Sequence, residues 1–600
     1  MKRKLFTKGL TLFLAMALLL SAVGCIFNLP FGDVRVTPEV PVVTAAPTAA
    51  PTATPAPTPS PDELFAEIDE EFFHYYMNDD LSRLLQFVTD PEAMGFDTEG
   101  MELTLGDLSK ETGVVWIAKC KETLEALENL EYKKLSVANR FAYDTFKQTL
   151  RDEIGDEEFY GYYEPLGIYD GVHTDVPFEF IFFDFDDAEG VEEYFKLMQD
   201  VPRFFKQVLA YEQVRAELGL FMTKDALASV ERSIKKIINV KPANNVMLNT
   251  FNEKTKWVFV PADKKIEMIT RNEELVESCY MQAYRDLLAG LKELSPSCRK
   301  PTSLCENPNY KKYYENQIRI LSGKDLSIIN AINLLEKAKD IVYEEYAAAS
   351  EGVDKMDFPE KFTVGEGTAQ ENLDYLKKLT EEFLPKLPEH DVTIIEVERQ
   401  LSDLFAPAAY ALPGIDDWSE NLILVNEPEK SSSLLLTMAH ESYPGHLYQF
   451  NYQRALPDIP LMQQAMVSTT YAEAWSQFAE YQAAKRTELY PKEEVLVYQL
   501  ISVYSTIVEA QASIEVNYMG YTAKRLKTAY GMGKDTHLFF SSEPFHNMEY
   551  AFGIANMFVL YDKMKEEQGD DFDEAAFLIA FLDLGPSHFN LIEKRLNESA

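Results

Sequence analysis

Apolar residues recur every three or four positions along most of the chain, with acidic residues between them. Leu64, Ile68, Phe72 and Tyr75 begin this pattern. An α-helix has 3.6 residues per turn, so it places such positions on one face. The pattern returns near residues 120–150, 190–240, 265–295, 325–350, 370–385, 460–485, 495–530 and 550–565. It predicts a large, mainly α, multi-helix protein.

Apolar runs typical of strands are few. Residues 421–426 (Asn-Leu-Ile-Leu-Val-Asn) form the clearest run, and residues 179–183 and 257–260 form two weaker ones, each with turn residues nearby. Short apolar runs bounded in this way are typical of buried strands. We therefore predict only a small β-sheet beside the helices.

The N-terminus resembles a lipoprotein signal peptide. A basic start (Lys2, Arg3, Lys4 and Lys8) precedes an apolar stretch at 10–23 and the sequence Leu-Ser-Ala-Val-Gly-Cys, which ends at Cys25. Basic, apolar and small-residue regions in this order are typical of export signals. The alternatives are an ordinary signal peptide with a chance cysteine, or an uncleaved anchor helix. We interpret residues 1–24 as the signal peptide and Cys25 as the lipidated first residue of the mature protein.

The next segment, residues 25–60, is low in charge and rich in proline, threonine and alanine. Such a segment cannot bury a core and is expected to form an extended spacer. Residues 61–600 then form one mainly helical unit, large enough for two lobes. Together these features predict an extracytoplasmic protein that a lipid anchors to the cell membrane.

The net charge argues against two classes of binding partner, and the cysteine content leaves one disulfide open. The chain has 98 acidic and 57 basic residues, a net charge of −41. Such a surface repels nucleic acid and anionic lipid, which argues against both as partners. Apart from Cys25, four cysteines remain, and export permits disulfides. Cys298 and Cys305 flank a loop rich in proline, serine and threonine, and we leave open whether they pair or stay free.

The chemistry is concentrated in residues 433–446, which read Ser-Leu-Leu-Leu-Thr-Met-Ala-His-Glu-Ser-Tyr-Pro-Gly-His. An apolar helix here ends in His440 and Glu441, and His446 follows. Zinc peptidases commonly use two histidines as ligands and a glutamate after the first as general base. Two imidazoles and a third protein ligand hold Zn²⁺, and the fourth position holds a water of lowered pKa. We expect one zinc ion here, although this ligand set also suits other divalent ions.

The spacing of the two histidines is unusual. His440 and His446 are six residues apart, so on a straight helix their side chains would point about 120° apart. They could not share a metal in that geometry. Pro444 and Gly445 lie between them. Proline interrupts helical hydrogen bonding and glycine permits unusual backbone angles, so we predict a break that returns His446 to the metal.

A third ligand is expected on a downstream helix. Glu473 and Glu480 are seven residues apart, and therefore lie on one helical face. We predict that Glu473 is a metal ligand and that Glu480 orients a histidine from behind. The loop at 456–460 would let this helix turn back onto the first. Residues 421–426 would form an edge strand along the cleft and pair with the substrate backbone.

The segment His440-Glu-Ser-Tyr-Pro-Gly-His446 resembles the signature of a bacterial family known as domain of unknown function 885. Further similarities lie at residues 90–95, 407–410, 425–426, 473–475, 550–553 and 584–587, and the resemblance covers most of residues 65–600. It implies a zincin-like fold of the gluzincin, oligopeptidase-like kind, in which a small sheet edges the active-site cleft. It also implies zinc bound by His440, His446 and Glu473.

One position departs from that family's pattern. A late Asp-Thr-Gly-x-His motif aligns with residues 515–519, where Met519 replaces the histidine. That histidine would be a natural ligand of substrate or oxyanion. Tyr550, His546 or Tyr443 is expected to supply a donor instead, and we select Tyr550 as the catalytic candidate.

Three functions remain open from the sequence. The preferred one is a zinc peptidase that hydrolyses peptides or oligopeptides, with Glu441 as general base. The second is a catalytically silent lipoprotein of the same fold that binds metal or peptide. The third is a solute-binding or structural lipoprotein in which the His-Glu pair is incidental, since helix-end histidines are usually structural.

Overall fold

A computed structural model describes residues 59–599, except 79, 169–170, 184, 186, 352, 354–366, 398–401, 403–404, 427–432 and 458. The predicted signal peptide, Cys25 and nearly all of the predicted spacer lie outside the described residues. Within the described part, 69% of the chain is helix and 4% is strand. The prediction of a mainly α protein with a small sheet is confirmed.

The first helices enclose an aromatic core. Phe72 lies at its centre, with ring centroids 5.6 Å from Trp116 and 5.3 Å from Phe146. These helices are α1 (Pro61–Asn78), α2 (Leu81–Phe87), α3 (Lys110–Glu128) and α4 (Val137–Gly155).

A second group of helices forms its own core. Two segments of this group that the sequence predicts as strands are not strands in the structure. It comprises α5 (Val172–Phe182), α6 (Ala188–Glu217), α7 (Lys224–Ile238), α8 (Val246–Thr255), α9 (Ala262–Leu275), a π-helical segment (Val276–Met281) and α10 (Gln282–Leu294). Residues 179–183 lie at the end of α5, and residues 257–260 lie in the loop after α8. The first prediction failed because α5 is buried on nearly all sides, and a fully buried helix lacks helical periodicity.

The third group carries the candidate site. Its central helices are α17 and α21, which pack closely on each other and on α18. The group comprises α11 (Pro308–Leu321), α12 (Ile328–Ala349), α13 (Ala369–Thr380), α14 (Leu434–Glu441), α15 (His446–Arg454), α17 (Thr469–Arg486), α18 (Lys492–Asn517), α19 (Ala523–Tyr530), α20 (Lys534–Ser542), α21 (Met548–Gln568), α22 (Glu574–Asp583) and α23 (Phe589–Ser599). The short helix α16 (Leu461–Ala465) lies between α15 and α17 in sequence but packs on α1 and α4 of the first group.

Three strands form one sheet: β1 (Asp391–Val397), β2 (Ala408–Ala411) and β3 (Glu420–Asn426). The order is β1-β3-β2, with β1 parallel and β2 antiparallel to β3. The predicted strand at 421–426 is therefore confirmed. Its predicted role as an edge that adds a substrate strand is wrong, because β3 is paired on both sides. The free edge next to the site belongs to β2.

The sheet separates two of the helical cores. Side chains alternate along a strand, so Ala408 and Tyr410 pack with the site helices, whereas Ala409 and Ala411 pack with the second group. A strand buried on both faces needs an apolar residue at every position. This explains the continuous apolar run at residues 422–425 inside the strand.

Helix α18 is long and apolar enough, by length and composition, to cross a membrane over Glu493–Asn517. Half of that stretch is buried in the protein, and the helix packs against α12, α17 and α21. We therefore interpret α18 as a core helix.

The cysteines of the described part, Cys120, Cys279, Cys298 and Cys305, are all free, so Cys298 and Cys305 do not pair.

Candidate metal centre

The His-Glu helix stops where the sequence predicts a break. Helix α14 ends at Glu441, and the Ser442 N–H donates to the carbonyl of Met438 at 2.8 Å. Residues 442–445 are not helical, and α15 begins at His446. The break brings the two imidazoles together, with ring centroids 4.8 Å apart and planes at 85°.

Gly445 makes the break possible by close approach. A Cβ added there would lie 1.8 Å from the His440 carbonyl oxygen and 2.4 Å from that of Ala439. Contacts below 3.0 Å do not occur for real Cβ atoms. The backbone angle φ of Gly445 is −77°, so the glycine is needed for space rather than for a left-handed conformation.

Trp475 fixes the break from the opposite side. Its indole N–H donates to the carbonyl of Pro444 at 2.8 Å, and the side chain is 2% exposed. A buried carbonyl without a donor is costly. Trp475 lies two residues after Glu473 on α17, so one helix turn supplies both a candidate ligand and the bond that positions the loop.

His440, His446 and Glu473 converge. One nitrogen of each histidine and one carboxylate oxygen lie within 4.8 Å of one another, and all three residues are buried. His440 Nε2 is 3.3 Å from Glu473 Oε2, and His446 Nε2 is 3.5 Å from Glu473 Oε1. Two imidazoles and one carboxylate are the protein ligands of many catalytic zinc sites.

The donor set fits a divalent cation. His440 Nε2 and both carboxylate oxygens of Glu473 are buried without a hydrogen-bond partner of good geometry. Buried polar atoms are normally satisfied because leaving them unpaired costs about 1–3 kcal/mol each. A metal ion at the point of convergence would satisfy all three atoms at once.

Glu480 lies behind His440. The Nδ1 of His440 donates to Glu480 Oε1 at 2.7 Å, which leaves Nε2 to face Glu473. A carboxylate in this position fixes the imidazole tautomer and makes the free nitrogen a better ligand. Glu480 lies two turns after Glu473 on α17, as the spacing predicts.

Glu441 points from the end of α14 towards strand β2. Its Oε2 accepts a 2.8 Å hydrogen bond from the backbone N–H of Tyr410. Burial raises the pKa of Glu441, and the charges of His440 and His446 partly oppose this shift. A carboxylate with a raised pKa is a stronger base, as proton abstraction from a water requires.

The surroundings of the cluster shift the pKa values of Glu473 and His440. Burial alone would raise the pKa of Glu473, but the nearby imidazoles of His446 and His440 lower it to about 2. Burial alone would lower the pKa of His440, but Glu473 and Glu480 raise it well above its usual value. In the structure, the negative charge of Glu473 is therefore balanced by protonated His440. A bound divalent cation would supply that positive charge instead.

A pocket of about 340 Å³ opens onto one side of the cluster. Both His440 and Glu441 reach it, together with residues from the start of β2 and from α14, α17, α18 and α21. Besides Tyr550, its polar uncharged lining residues are Ser433, Thr437, Gln477, Tyr498, Gln499, Ser502, Thr506 and Asn547.

Tyr550 is the candidate donor that faces this pocket. Burial raises its pKa well above the usual value, and the negative Glu473 and Glu441 raise it further. The phenol therefore keeps its proton. Among the pocket's described lining residues, neither of the other candidate donors occurs. Tyr443 bonds to His390 Nε2 instead, and His546 packs edge-on against Phe539 at 5.0 Å.

Sequence reasoning missed some site groups. Motif spacing cannot reveal that the Tyr410 backbone N–H binds Glu441, because every residue type except proline carries such a group. Gln477 donates to the Tyr550 carbonyl at 2.9 Å, and only its position on the Glu473–Glu480 helix hinted at its place.

Met519, the departure from the family pattern, lies outside the pocket. It follows the end of α18 and is 40% exposed. Helix α18 lines the pocket only as far as Thr506, and its end at Asn517 lies about 16 Å further along the axis. The methionine therefore does not remove a donor from the described pocket.

Comparison with known proteins gives a family and a fold. Residues 91–501 match a family described as "Bacterial protein of unknown function (DUF885)". The fold resembles a candidate lipoprotein from Colwellia psychrerythraea, at 15% identity and a TM-score of 0.74, over 90% of this chain and 99% of that one. It also resembles a candidate lipoprotein of unknown function from Shewanella oneidensis, at 15% identity and a TM-score of 0.57, over 90% and 100% of the two chains. No curated protein matches.

Proposed function

Since this chain belongs to the bacterial DUF885 family of unknown function, we propose from its own residues that it is a zinc-dependent peptidase of zincin-like fold. The observation that carries this proposal is the convergence of His440, His446 and Glu473 within 4.8 Å, beside a general-base candidate and an open pocket. A purely structural histidine pair would not need three buried donor atoms without partners.

The chain's own groups suit hydrolysis at a metal-bound water. A bound zinc ion would acidify a water and polarise a peptide carbonyl. Glu441, held by the Tyr410 N–H, would take the water's proton and pass it to the leaving amine. Tyr550 would donate a hydrogen bond to the oxygen that gains negative charge. Glu480 would keep His440 oriented throughout.

The substrate would pair with strand β2. Asn426 N–H donates to Pro407 O, and Tyr410 N–H donates to Glu441 on the opposite side. Backbone groups alternate in direction along a strand, so the N–H and C=O of Ala408 point towards the open edge. Ala408 also lines the pocket. An extended peptide bound there would run past Glu441, which supports a peptide or oligopeptide as substrate.

The decisive experiment separates metal binding from catalysis. Purified wild-type protein should contain one zinc per chain and cleave members of a mixed peptide library. The variant Glu441→Gln should retain zinc and lose cleavage by about 1,000-fold or more. Glu488→Gln, an exposed change on the segment after α17, is the matched control and should leave both properties unchanged.

Each other outcome has a definite meaning. Undiminished cleavage by Glu441→Gln would reject Glu441 as the base. Zinc binding without cleavage by the wild type would instead support a silent metal-binding lipoprotein. Protein without zinc, unchanged by His440→Ala, would reject the metal centre.

We also propose that a lipid on Cys25 anchors the protein outside the cytoplasm. The signal-like sequence that ends at Cys25 and the two structural neighbours described as candidate lipoproteins support this location. After a high-salt wash, which weakens electrostatic contacts with lipid, Cys25→Ala should move the protein from the membrane fraction to the soluble fraction. Unchanged membrane retention of the Cys25→Ala variant would reject this anchor if mass spectrometry also showed that the N-terminus of the wild-type protein carries no lipid.

A further inference from the structure

A short loop after α8 exposes large apolar side chains. Trp257 is 77% exposed and Phe259 is 87% exposed, and Ile266 in the second turn of α9 is 66% exposed. We call residues 255–266 the Trp257 tip. Large aromatic side chains are usually among the most buried in a protein. Two of them exposed within three residues indicate an interaction surface.

The Trp257 tip is held in place by the protein beneath it. Val258, between the two exposed aromatic residues, is 1% exposed and belongs to the second core. At the base of the tip, the Lys254 ammonium donates to the carbonyls of Ile181 and Phe183 at 2.7 and 2.6 Å. Lys265 donates to the Lys256 carbonyl at 2.7 Å, which ties α9 to the loop. The aromatic side chains are thus presented on an anchored loop.

The stretch of sequence that contains the Trp257 tip has the opposite net charge to the whole chain. Residues 231–267 contain eight basic and four acidic residues, a net charge of +4, whereas the chain carries −41. The basic residues are Arg232, Lys235, Lys236, Lys241, Lys254, Lys256, Lys264 and Lys265. Exposed ion pairs such as Lys256–Glu253 and Lys264–Glu267 contribute little and exchange readily with other anions. The sequence argument against anionic lipid used the net charge of the whole chain, which does not show that this stretch is positively charged.

We propose that the Trp257 tip inserts into the headgroup region of an anionic membrane, so that the protein contacts the bilayer at a second place besides the N-terminal anchor. Tryptophan and phenylalanine with neighbouring lysines are typical of interfacial membrane contacts. Each basic residue near an anionic surface adds attraction. A nucleic acid would explain the charge alone, whereas a bilayer explains both the charge and the exposed aromatic pair.

The predicted spacer is long enough for this arrangement. Residues 25–58 number 34, and in an extended proline-rich form they span about 105 Å. A compact domain of this length has a radius of gyration of about 24 Å. The tip can therefore reach the bilayer wherever on the domain it lies. Contact would fix the orientation of the folded unit relative to the membrane, which a spacer alone would not. The inference is independent of the proposed hydrolysis.

The test uses the processed chain, residues 25–600, with Cys25→Ser so that no lipid is attached. Vesicles of phosphatidylethanolamine with phosphatidylglycerol should bind it, and binding should weaken with added salt. Pure phosphatidylcholine vesicles should bind it less. On binding, tryptophan emission should shift to shorter wavelength, and brominated lipid should quench it. Replacement of Trp257 by Phe should remove both signals while binding remains.

Two sets of variants separate the apolar and the charged contributions. Trp257→Ser with Phe259→Ser should lower vesicle binding about tenfold or more. Ile329→Ser with Tyr343→Ser, which are 57% and 58% exposed on α12, is the matched control and should bind normally. Lys236→Glu with Lys241→Glu should weaken binding to anionic vesicles only, whereas Lys524→Glu with Lys527→Glu on α19 should not.

Circular dichroism must first show that each variant is folded. The proposal is overturned if the folded wild type binds neither kind of vesicle, or if the Trp257/Phe259 variant binds as well as its control. It is also overturned if the tip variants change only the oligomeric state, because the surface would then join copies of this chain.

Discussion

The α-carbon of Gly445 lies so close to the backbone of His440 that an added Cβ would be 1.8 Å from the His440 carbonyl oxygen. This approach joins the end of α14 to the start of α15 without an intervening side chain. The two histidines can then face one carboxylate although they are six residues apart in sequence.

Gly445→Ala should therefore disrupt the proposed metal centre. The added methyl group must displace one of the two helices, which moves His446 away from Glu473. We expect zinc affinity to fall about 100-fold, because a shift of about 1 Å is enough to spoil a site of this kind. Competition with a chromophoric chelator measures the affinity. Gly113→Ala in α3, where an added Cβ meets nothing within 4 Å, is the control, and equal zinc affinity in both variants would contradict the prediction.

Glu480 should affect zinc affinity through His440, although it is not itself a predicted ligand. Loss of its carboxylate charge weakens the hydrogen bond at His440 Nδ1, so Nε2 becomes a poorer ligand. We expect Glu480→Gln to lower zinc affinity about 10-fold and Glu480→Ala up to about 100-fold, with the zinc stoichiometry unchanged at saturating metal. Glu488→Gln again serves as the control. A Glu480→Ala variant with wild-type affinity would mean that Glu480 has no influence on the ligand.

Trp475 should stabilise both the fold and the site. Trp475→Phe keeps most of the buried ring but leaves the Pro444 carbonyl without its donor. We expect the free energy of unfolding to fall by about 1–3 kcal/mol and zinc affinity to fall as the break loosens. Urea denaturation measures the first effect and chelator competition the second. Trp257→Phe, at a side chain 77% exposed, should change neither, and a Trp475→Phe variant as stable as Trp257→Phe would refute this role.

Stability should fall from mildly acidic to mildly alkaline pH, partly because of Glu153. Burial raises its pKa from 4.5 to about 8, against the hydrogen bond from Trp116. Between those values the folded protein keeps a proton that the unfolded chain releases, so the free energy of unfolding decreases as pH rises. Glu153→Gln should remove about 3 kcal/mol of that decrease between pH 5 and pH 8.

Urea denaturation at pH 5 and pH 8 tests the role of Glu153. The variant should lose less stability than the wild type between the two pH values, and at pH 8 it should be the more stable protein. Glu157→Gln, at a surface ion pair with Lys121, is the control and should follow the wild type. Equal pH dependence in all three proteins would show that Glu153 is not protonated in the fold.

The sequence by itself determined the helical class, the position of β3 and the three residues, His440, His446 and Glu473, that converge in the fold. Helical periodicity is a local property, and it survives wherever a helix has one exposed face. The break at residues 442–445 was also readable, because Pro444 and Gly445 act on the backbone next to them. The seven-residue spacing of Glu473 and Glu480 placed both on one helical face.

Only the tertiary structure decided the features that depend on distant segments. Residues 179–183 became helix because their surroundings bury them on nearly all sides, which removes the periodic signal. The order β1-β3-β2 gave the free edge to β2 rather than to β3, and strand order depends on pairing between segments that the local pattern does not encode. The Tyr410 N–H that holds Glu441 belongs to the backbone, so no residue type marks it. Convergence of His440, His446 and Glu473 required three helices, α14, α15 and α17, and the break between the first two to pack together, and that arrangement is a property of the whole fold.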